Sequence, residues 1–254
     1  MAWNDDPKHP FAGIAERLKR ADQNIINLES EVNLFMQSGE YPVIPHPDTE
    51  EWKKAILYHK DKPIPLRFAV LVGEIVHHLR SCFDHIIWHF SDAESRTKPG
   101  GLEFPVFKTE PTEKKEIELY ARKIKGVSNA DVLTLIREMQ PYGAGANVAN
   151  HLLLVIHDMD RFDKHRELVI VDSGLQVFFP MDNVELRRKA DLYSQGKLPE
   201  SEHLILGRAI KDYQAAPSIS FREFGNHRPY AVIKGLAELW VATRDAVDRF
   251  ADFV

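Results

Sequence analysis

Residues 11–35 read FAGIAERLKRADQNIINLESEVNLF, and their spacing decides the class of the fold. Phe11, Ile14, Leu18, Ala21, Ile25, Leu28, Val32 and Phe35 recur in alternating steps of three and four. That pattern predicts an amphipathic helix of about seven turns. Pro10 suits its first turn. Gly39 and the segment 41–47, with Pro42, Pro45 and Pro47, end it, because proline cannot continue a helix and restricts the residue before it. The stripe reads as packing inside a bundle; about three and a half heptads are few for a dimer seam.

Outward from this helix, Phe68, Val72, Ile75, Leu79, Cys82, Ile86 and Phe90 predict a second long helix over 66–90. Shorter helices are expected over 111–125, closed by Gly126, and over 128–139, opened by Ser128-Asn129-Ala130-Asp131. Two more are expected from about 149 to 164 and from 229 to 250. Trp52 to Lys60 alternates like a short strand. Residues 168–171 and 175–179 flank Asp172-Ser173-Gly174, a hairpin signal, and 204–210 and 218–224 are further strand candidates. The expected fold is α+β: a long-helix bundle (about 11–165 and 229–253) with a small antiparallel β-sheet (about 166–226) inserted before the C-terminal helix. One domain, 1–254, is expected.

Composition bounds the function. The 254 residues are 44% hydrophobic and 28% charged, an ordinary globular balance. Lys and Arg total 33 against 38 Asp and Glu, a net charge of -5. A globally basic nucleic-acid binder is excluded, though not a local basic patch. Cys82 is the one cysteine, so no intrachain disulfide forms, which fits a reducing cytoplasm. The N-terminal residues lack the pattern of a signal peptide. The longest apolar run, Leu152 to Ile156, is too short for a bilayer, so no membrane association is expected.

The second long helix carries four of the twelve histidines, in Glu74-Ile75-Val76-His77-His78-Leu79-Arg80-Ser81-Cys82-Phe83-Asp84-His85-Ile86-Ile87-Trp88-His89. At about 100° per residue, Arg80, Asp84, His77, Ser81 and His85 tile one polar face. Arg80 and Asp84 are spaced i, i+4, as an ion pair requires. Two readings stand for this face: a solvated surface with one ordinary ion pair, or a site or polar network, favoured because a solvated face usually carries Lys and Glu. On the helix from about 149 to 164, Asp163 and Arg166 fall back onto the apolar face. Charges placed there need partners: Asp163 and Arg166, spaced i, i+3, can pair with each other, or with Arg80 and Asp84; alternatively the helix ends near Asp163 and the largely basic run 163–166 caps it.

Residues 73–85 resemble a stretch typical of uncharacterised bacterial proteins, roughly Gly-acid-x-x-His-Asn-Leu-Arg-Ser-Ala-Leu-Asp-His. Glu103-Phe104-Pro105-Val106-Phe107, Gln140-Pro141-Tyr142 and Asp163-Lys164-His165-Arg166 are similar to further pieces of the same proteins. This resemblance implies no activity. A second one does: Arg80-Ser81-Cys82-Phe83-Asp84-His85 is Arg-x4-His, similar to the signature of HEPN ribonucleases. Those are metal-independent, helical-bundle endoribonucleases whose site forms between two protomers. The resemblance implies that Arg80 stabilises the phosphate and His85 moves the proton, in a homodimer acting on RNA. Ser81 departs from the residue that often follows the arginine. The motif also lies mid-helix, where Arg80 and His85 point about 140° apart.

Metal chemistry is the next alternative. Glu74-Ile75-Val76-His77 has the Glu-x-x-His spacing of di-iron bundles, and His157 and Asp160 make a loose second half. His85 and His89 are an i, i+4 pair suited to zinc. A third class is a non-enzymatic binding or interaction protein whose polar network fixes helix register. The adopted expectation is the endoribonuclease, with no metal and no cofactor. Arg80, His85, Asp84 and His77 are its catalytic residues. Arg161, Lys164, His165 and Arg166 are its substrate-binding patch, and Ser81 and Asp163 are network residues.

Overall fold

The computed structural model describes residues 3–41, 50–97, 100–165, 171–178, 188, 214–221 and 231–254. Helices dominate. In chain order they are α1 (Ala12–Gln37), α2 (Glu50–Asp61), α3 (Leu66–Phe90), α4 (Ala93–Thr97), α5 (Lys114–Lys123), α6 (Ala130–Glu138), α7 (Leu152–His165) and α8 (Val232–Ala251). A 3₁₀ stretch, Pro141–Asn150, joins α6 to α7. β1 (Val171–Phe178) and β2 (Gln214–Phe221) are hydrogen-bonded neighbours.

The α+β expectation is corrected. A single pair of strands cannot form a layer against which helices pack, and the described architecture is helical. Trp52 to Lys60, expected as a strand, lies within α2. Glu50 and Glu51 in its first turn complement the positive helix end, and apolar alternation over so few residues does not separate strand from helix. The hairpin expected at Asp172-Ser173-Gly174 is not formed: β1 runs through all three residues. A turn signal yields where the ladder partner lies on another segment. The strand expected at 204–210 lies outside the described residues. That expected at 218–224 is described only to Phe221, as the end of β2.

The chain divides into two compact units. The second comprises Ser30–Ile64 and Val171–Ser220; within it α2 packs beside β1. There the Lys62 ammonium donates to the Phe35 carbonyl at 2.6 Å and stands 4.2 Å over the Phe35 ring, which joins two desolvating contacts in one side chain.

The first unit, Met1–Glu29, Pro65–Ile170 and Phe221–Val254, holds all the candidate site residues whose side chains are described. α3 is its centre, packing on α7 and α8, while α7 packs on α8 and on the 3₁₀ stretch. The stripe predicted for α1 is buried from Phe11 to Leu28, as are Phe68, Val72, Ile75, Leu79, Cys82 and Ile86 of α3. Phe83 meets Phe104 with centroids 5.2 Å apart, Phe104 meets Phe250 at 6.0 Å, and Phe90 meets Phe11 at 6.0 Å. Such tilted and edge-on pairs add to the burial of each ring. α6 starts on Asn129, whose side chain accepts from Asp131 N–H at 3.0 Å and Val132 N–H at 3.2 Å, satisfying two otherwise orphaned donors. Gly126 has φ +80, and a Cβ there would stand 2.6 Å from Ser95 Oγ, so glycine is required on both counts.

Gly73 lets α7 approach α3. A Cβ on it would stand 2.6 Å from Asp163 Oδ2 and 2.8 Å from its Cγ. Gly73→Ala is therefore expected to destabilise by about 1–3 kcal/mol, read as a lower midpoint in urea. Gly13→Ala, also in a helix but with no atom within 4 Å of the added Cβ, should leave the midpoint unchanged or raise it.

Candidate functional site

The polar face of α3 divides into two sets of contacts. The first is centred on Arg80, which is 3% exposed. Its Nη1 lies 2.7 Å from Asp84 Oδ1, one helical turn on. Its Nη2 donates to the Phe104 carbonyl at 2.9 Å, and the Phe104 N–H donates back to Asp84 Oδ1 at 2.9 Å. Both backbone groups of Phe104, a residue in no regular element, are thus satisfied by one ion pair, as buried backbone must be. Glu103 adds a carboxylate 4.0 Å from Nη2, and Lys123 Nζ bonds that carboxylate in turn.

Gln140, 1% exposed, continues the same task. Its amide nitrogen donates to the Pro105 carbonyl at 2.8 Å and the Ile136 carbonyl at 3.0 Å, and its oxygen accepts from the Phe107 N–H at 3.2 Å. Residues 104–107 are therefore clamped from α3 and from the end of α6. Gln140, Glu103 and Lys123 were not singled out by chemistry in the sequence. The first two stand in the stretches resembling bacterial proteins, and that was the only signal. The structure also corrects the expected partners of Arg80 and Asp84: they bind Phe104 and Glu103, while Asp163 abuts Gly73. Arg166 and the His165 side chain lie outside the described residues.

The second set faces outward. His77 Nδ1 lies 3.1 Å from Asp160 Oδ1, and Ser81 Oγ lies 3.5 Å from His77 Nε2. Asp160 is 7% exposed, and its other oxygen accepts from Lys164 Nζ at 2.8 Å. His77 and Ser81 come together because they are one helical turn apart. Asp160 and Lys164 are likewise spaced i, i+4, on α7. An imidazole held at Nδ1 by a buried carboxylate, with Nε2 open to a hydroxyl, is the arrangement of a general base and its orienting group.

His157, one turn before Asp160, is held neutral. Burial, helped by the Arg80, Lys123 and Arg161 charges and opposed by Asp158, pushes its imidazole down to about 4. Asp158 itself is 3.2 Å from Lys108 and 3.9 Å from Arg161, so the expected basic patch of Arg161 and Lys164 is largely neutralised by α7's own carboxylates.

His85 is exposed; desolvation, then the Arg17 charge, lower its pKa. It makes no described bond to Arg80, whose guanidinium is turned to Asp84 and Phe104. Of the proposed metal set, His77 and Asp160 meet, but Glu74 accepts from Asn24 Nδ2 at 3.5 Å. The His89 ring packs edge-on against Phe11 at 5.2 Å. Among the described residues no group of three or more metal-ligating side chains forms. A separate cavity of about 450 Å³ is lined by Phe83, Met139, His151, Ile156, Thr243 and Arg249, among others. Among the described residues no helix is long and apolar enough to cross a membrane.

Comparison with family models, curated proteins and solved structures gives no match for this chain.

Two outcomes follow from these geometries. Asp84→Ala strands the buried Arg80 charge and the Phe104 N–H, and is expected to cost about 3 kcal/mol; the double variant Arg80→Met/Asp84→Asn should cost less than the sum of its single changes, by chemical denaturation. For His157, the unfolded chain takes up a proton near the ordinary value of about 6.5, whereas the folded chain does so only near 4. Between these values the unfolded state binds more protons, so stability falls as pH drops through that window, by up to about 3 kcal/mol. His157→Gln should flatten that slope in thermal melts run from pH 7 to pH 4.

Proposed function

We propose that the protein is a metal-independent hydrolase whose acid–base centre is His77. The observation that carries this reading is the bond from His77 Nδ1 to the buried Asp160 carboxylate, with Nε2 left to the Ser81 hydroxyl. The carboxylate fixes the ring and its tautomer and stabilises the imidazolium that forms when Nε2 takes a proton. Lys164 on the outer Asp160 oxygen holds that carboxylate in place. The centre of the expected nuclease thus moves from Arg80 and His85 to His77. For Arg80 to bind a phosphate, its guanidinium would have to leave Asp84 and Phe104 and strip that segment of its hydrogen bonds. RNA and a homodimer remain the expectations of the nuclease resemblance, and the assay below includes both. The single buried cysteine supports a cytoplasmic place of action.

A second reading, a non-enzymatic helical interaction protein, is favoured by one observation. Arg80, Asp84 and Gln140 all bond the backbone of residues 104–107. Under it, His77 and Asp160 merely join α3 to α7.

The experiment is turnover in EDTA by the purified chain on mixed RNA, a p-nitrophenyl phosphodiester and p-nitrophenyl carboxylic esters, with the mass in solution measured alongside. The hydrolase reading expects turnover of at least one class, reduced about 10²–10⁴-fold in His77→Ala, with His85→Ala near the parent. Turnover of RNA alone, lost in His85→Ala and Arg80→Ala and carried by a dimer, would restore the nuclease centred on that pair. No turnover of any class would leave the interaction protein.

A further inference from the structure

Resting on the His77 reading, we propose that Ser81 is a covalent nucleophile and that the substrates are carboxylic esters. Ser81, His77 and Asp160 then form one proton relay across α3 and α7.

The hydroxyl and the ring are placed by the helix itself. Residues 77 and 81 are successive on one face, so the Oγ to Nε2 approach of 3.5 Å needs no further device. That distance suits an unliganded nucleophile–base pair, which tightens when substrate arrives. The third member comes from another helix and is buried at 7% exposure, so its charge is poorly screened where the imidazolium develops.

The oxyanion needs a donor. Ser81 lies mid-helix, where its own N–H is engaged within α3, so the donor must be a side chain. Asp163 abuts Gly73 and Asp160 bonds His77. His157 precedes Asp160 by three residues on α7, which places it near the same stretch of α3. Its interaction with the Arg80 charge agrees with that placement. Held neutral by burial, His157 carries one ring N–H, and a neutral imidazole can polarise a carbonyl without first losing a proton.

The atoms balance with water as the only co-substrate. Ser81 Oγ bonds the ester carbonyl carbon while its proton passes to His77 Nε2. The tetrahedral oxyanion collapses, the C–O bond to the alcohol breaks, and the alcohol leaves with the proton from His77. Water then attacks the acyl-serine, giving its proton to His77. The acyl group leaves as carboxylic acid, and that proton returns to Ser81 Oγ.

The test uses the full chain, a fluorophosphonate probe and p-nitrophenyl acetate. Expected is a single adduct, mapped by peptide mass spectrometry to Ser81. It should be absent in Ser81→Ala and formed at least 100-fold more slowly in His77→Gln, with both variants melting near the parent. Ester hydrolysis should fall by a similar factor in both, and His157→Phe should slow hydrolysis and labelling alike, since both pass through an oxyanion that needs the donor. Hydrolysis lost in His77→Gln but retained in Ser81→Ala would overturn the nucleophile and leave the His77 reading standing. An adduct on any other residue would also overturn the nucleophile. Absence of both adduct and His77-dependent turnover would overturn the two together.

Discussion

The Phe104 backbone sits against α3 with no helix or strand of its own to satisfy it, and the Arg80–Asp84 pair supplies what the segment lacks. One guanidinium nitrogen binds its carbonyl and one carboxylate oxygen binds its N–H. The ring, fully buried between Phe83 and Phe250, then links α3 to α8. Without the pair, burying Phe104 would also bury an orphaned donor and acceptor, at a cost comparable to what the ring gains. A buried ion pair of this kind adds little net stability over an apolar substitute, because both charges must be desolvated. Its effect is to fix one path for residues 104–107, and Gln140 extends that path to Pro105 and Phe107.

That constraint explains why the polar residues of α3 fall into two groups. Arg80, 3% exposed, and Asp84 bond each other and the two backbone groups of Phe104. His77 meets Asp160 of α7 instead, and Ser81 stands beside the His77 Nε2. Gly73 makes the second group possible, since a side chain there would press on Asp163 and hold α7 away from α3. The close approach of the two helices also buries His157 and keeps it neutral beside positive charges.

Much of the helical framework was legible in the chain. The three-and-four spacing of residues 11–35 and the stripe of 66–90 rest on local periodicity, which a sequence carries directly, whereas the helix expected to be capped from Ser128 is capped one residue on, by Asn129. The i, i+4 pairing of Arg80 with Asp84 and the neighbourhood of His77 and Ser81 rest on the same periodicity. The errors came where local signals are short. Nine alternating residues from Trp52 belong to a helix with acidic residues at its start, and a turn-like Asp172-Ser173-Gly174 lies inside a strand because its partner is some forty residues away.

Which polar residues are structural and which are available was decided only in three dimensions. Nothing in the local sequence says that Arg80 finds the carbonyl of residue 104, or that Gln140 reaches across to Pro105. Those contacts span twenty to thirty-five positions, and their partners are backbone groups, which every residue carries. The same holds for Asp160. Its spacing from Lys164 was readable, but its meeting with His77, eighty-three positions earlier, depends on the packing of α3 on α7. The sequence by itself determined the two long helices over 11–35 and 66–90, their apolar faces and the pairs one turn apart. The tertiary structure alone decided which charges are buried and which imidazole meets a carboxylate, because burial and long-range hydrogen bonding are properties of the packed helices, not of any one of them.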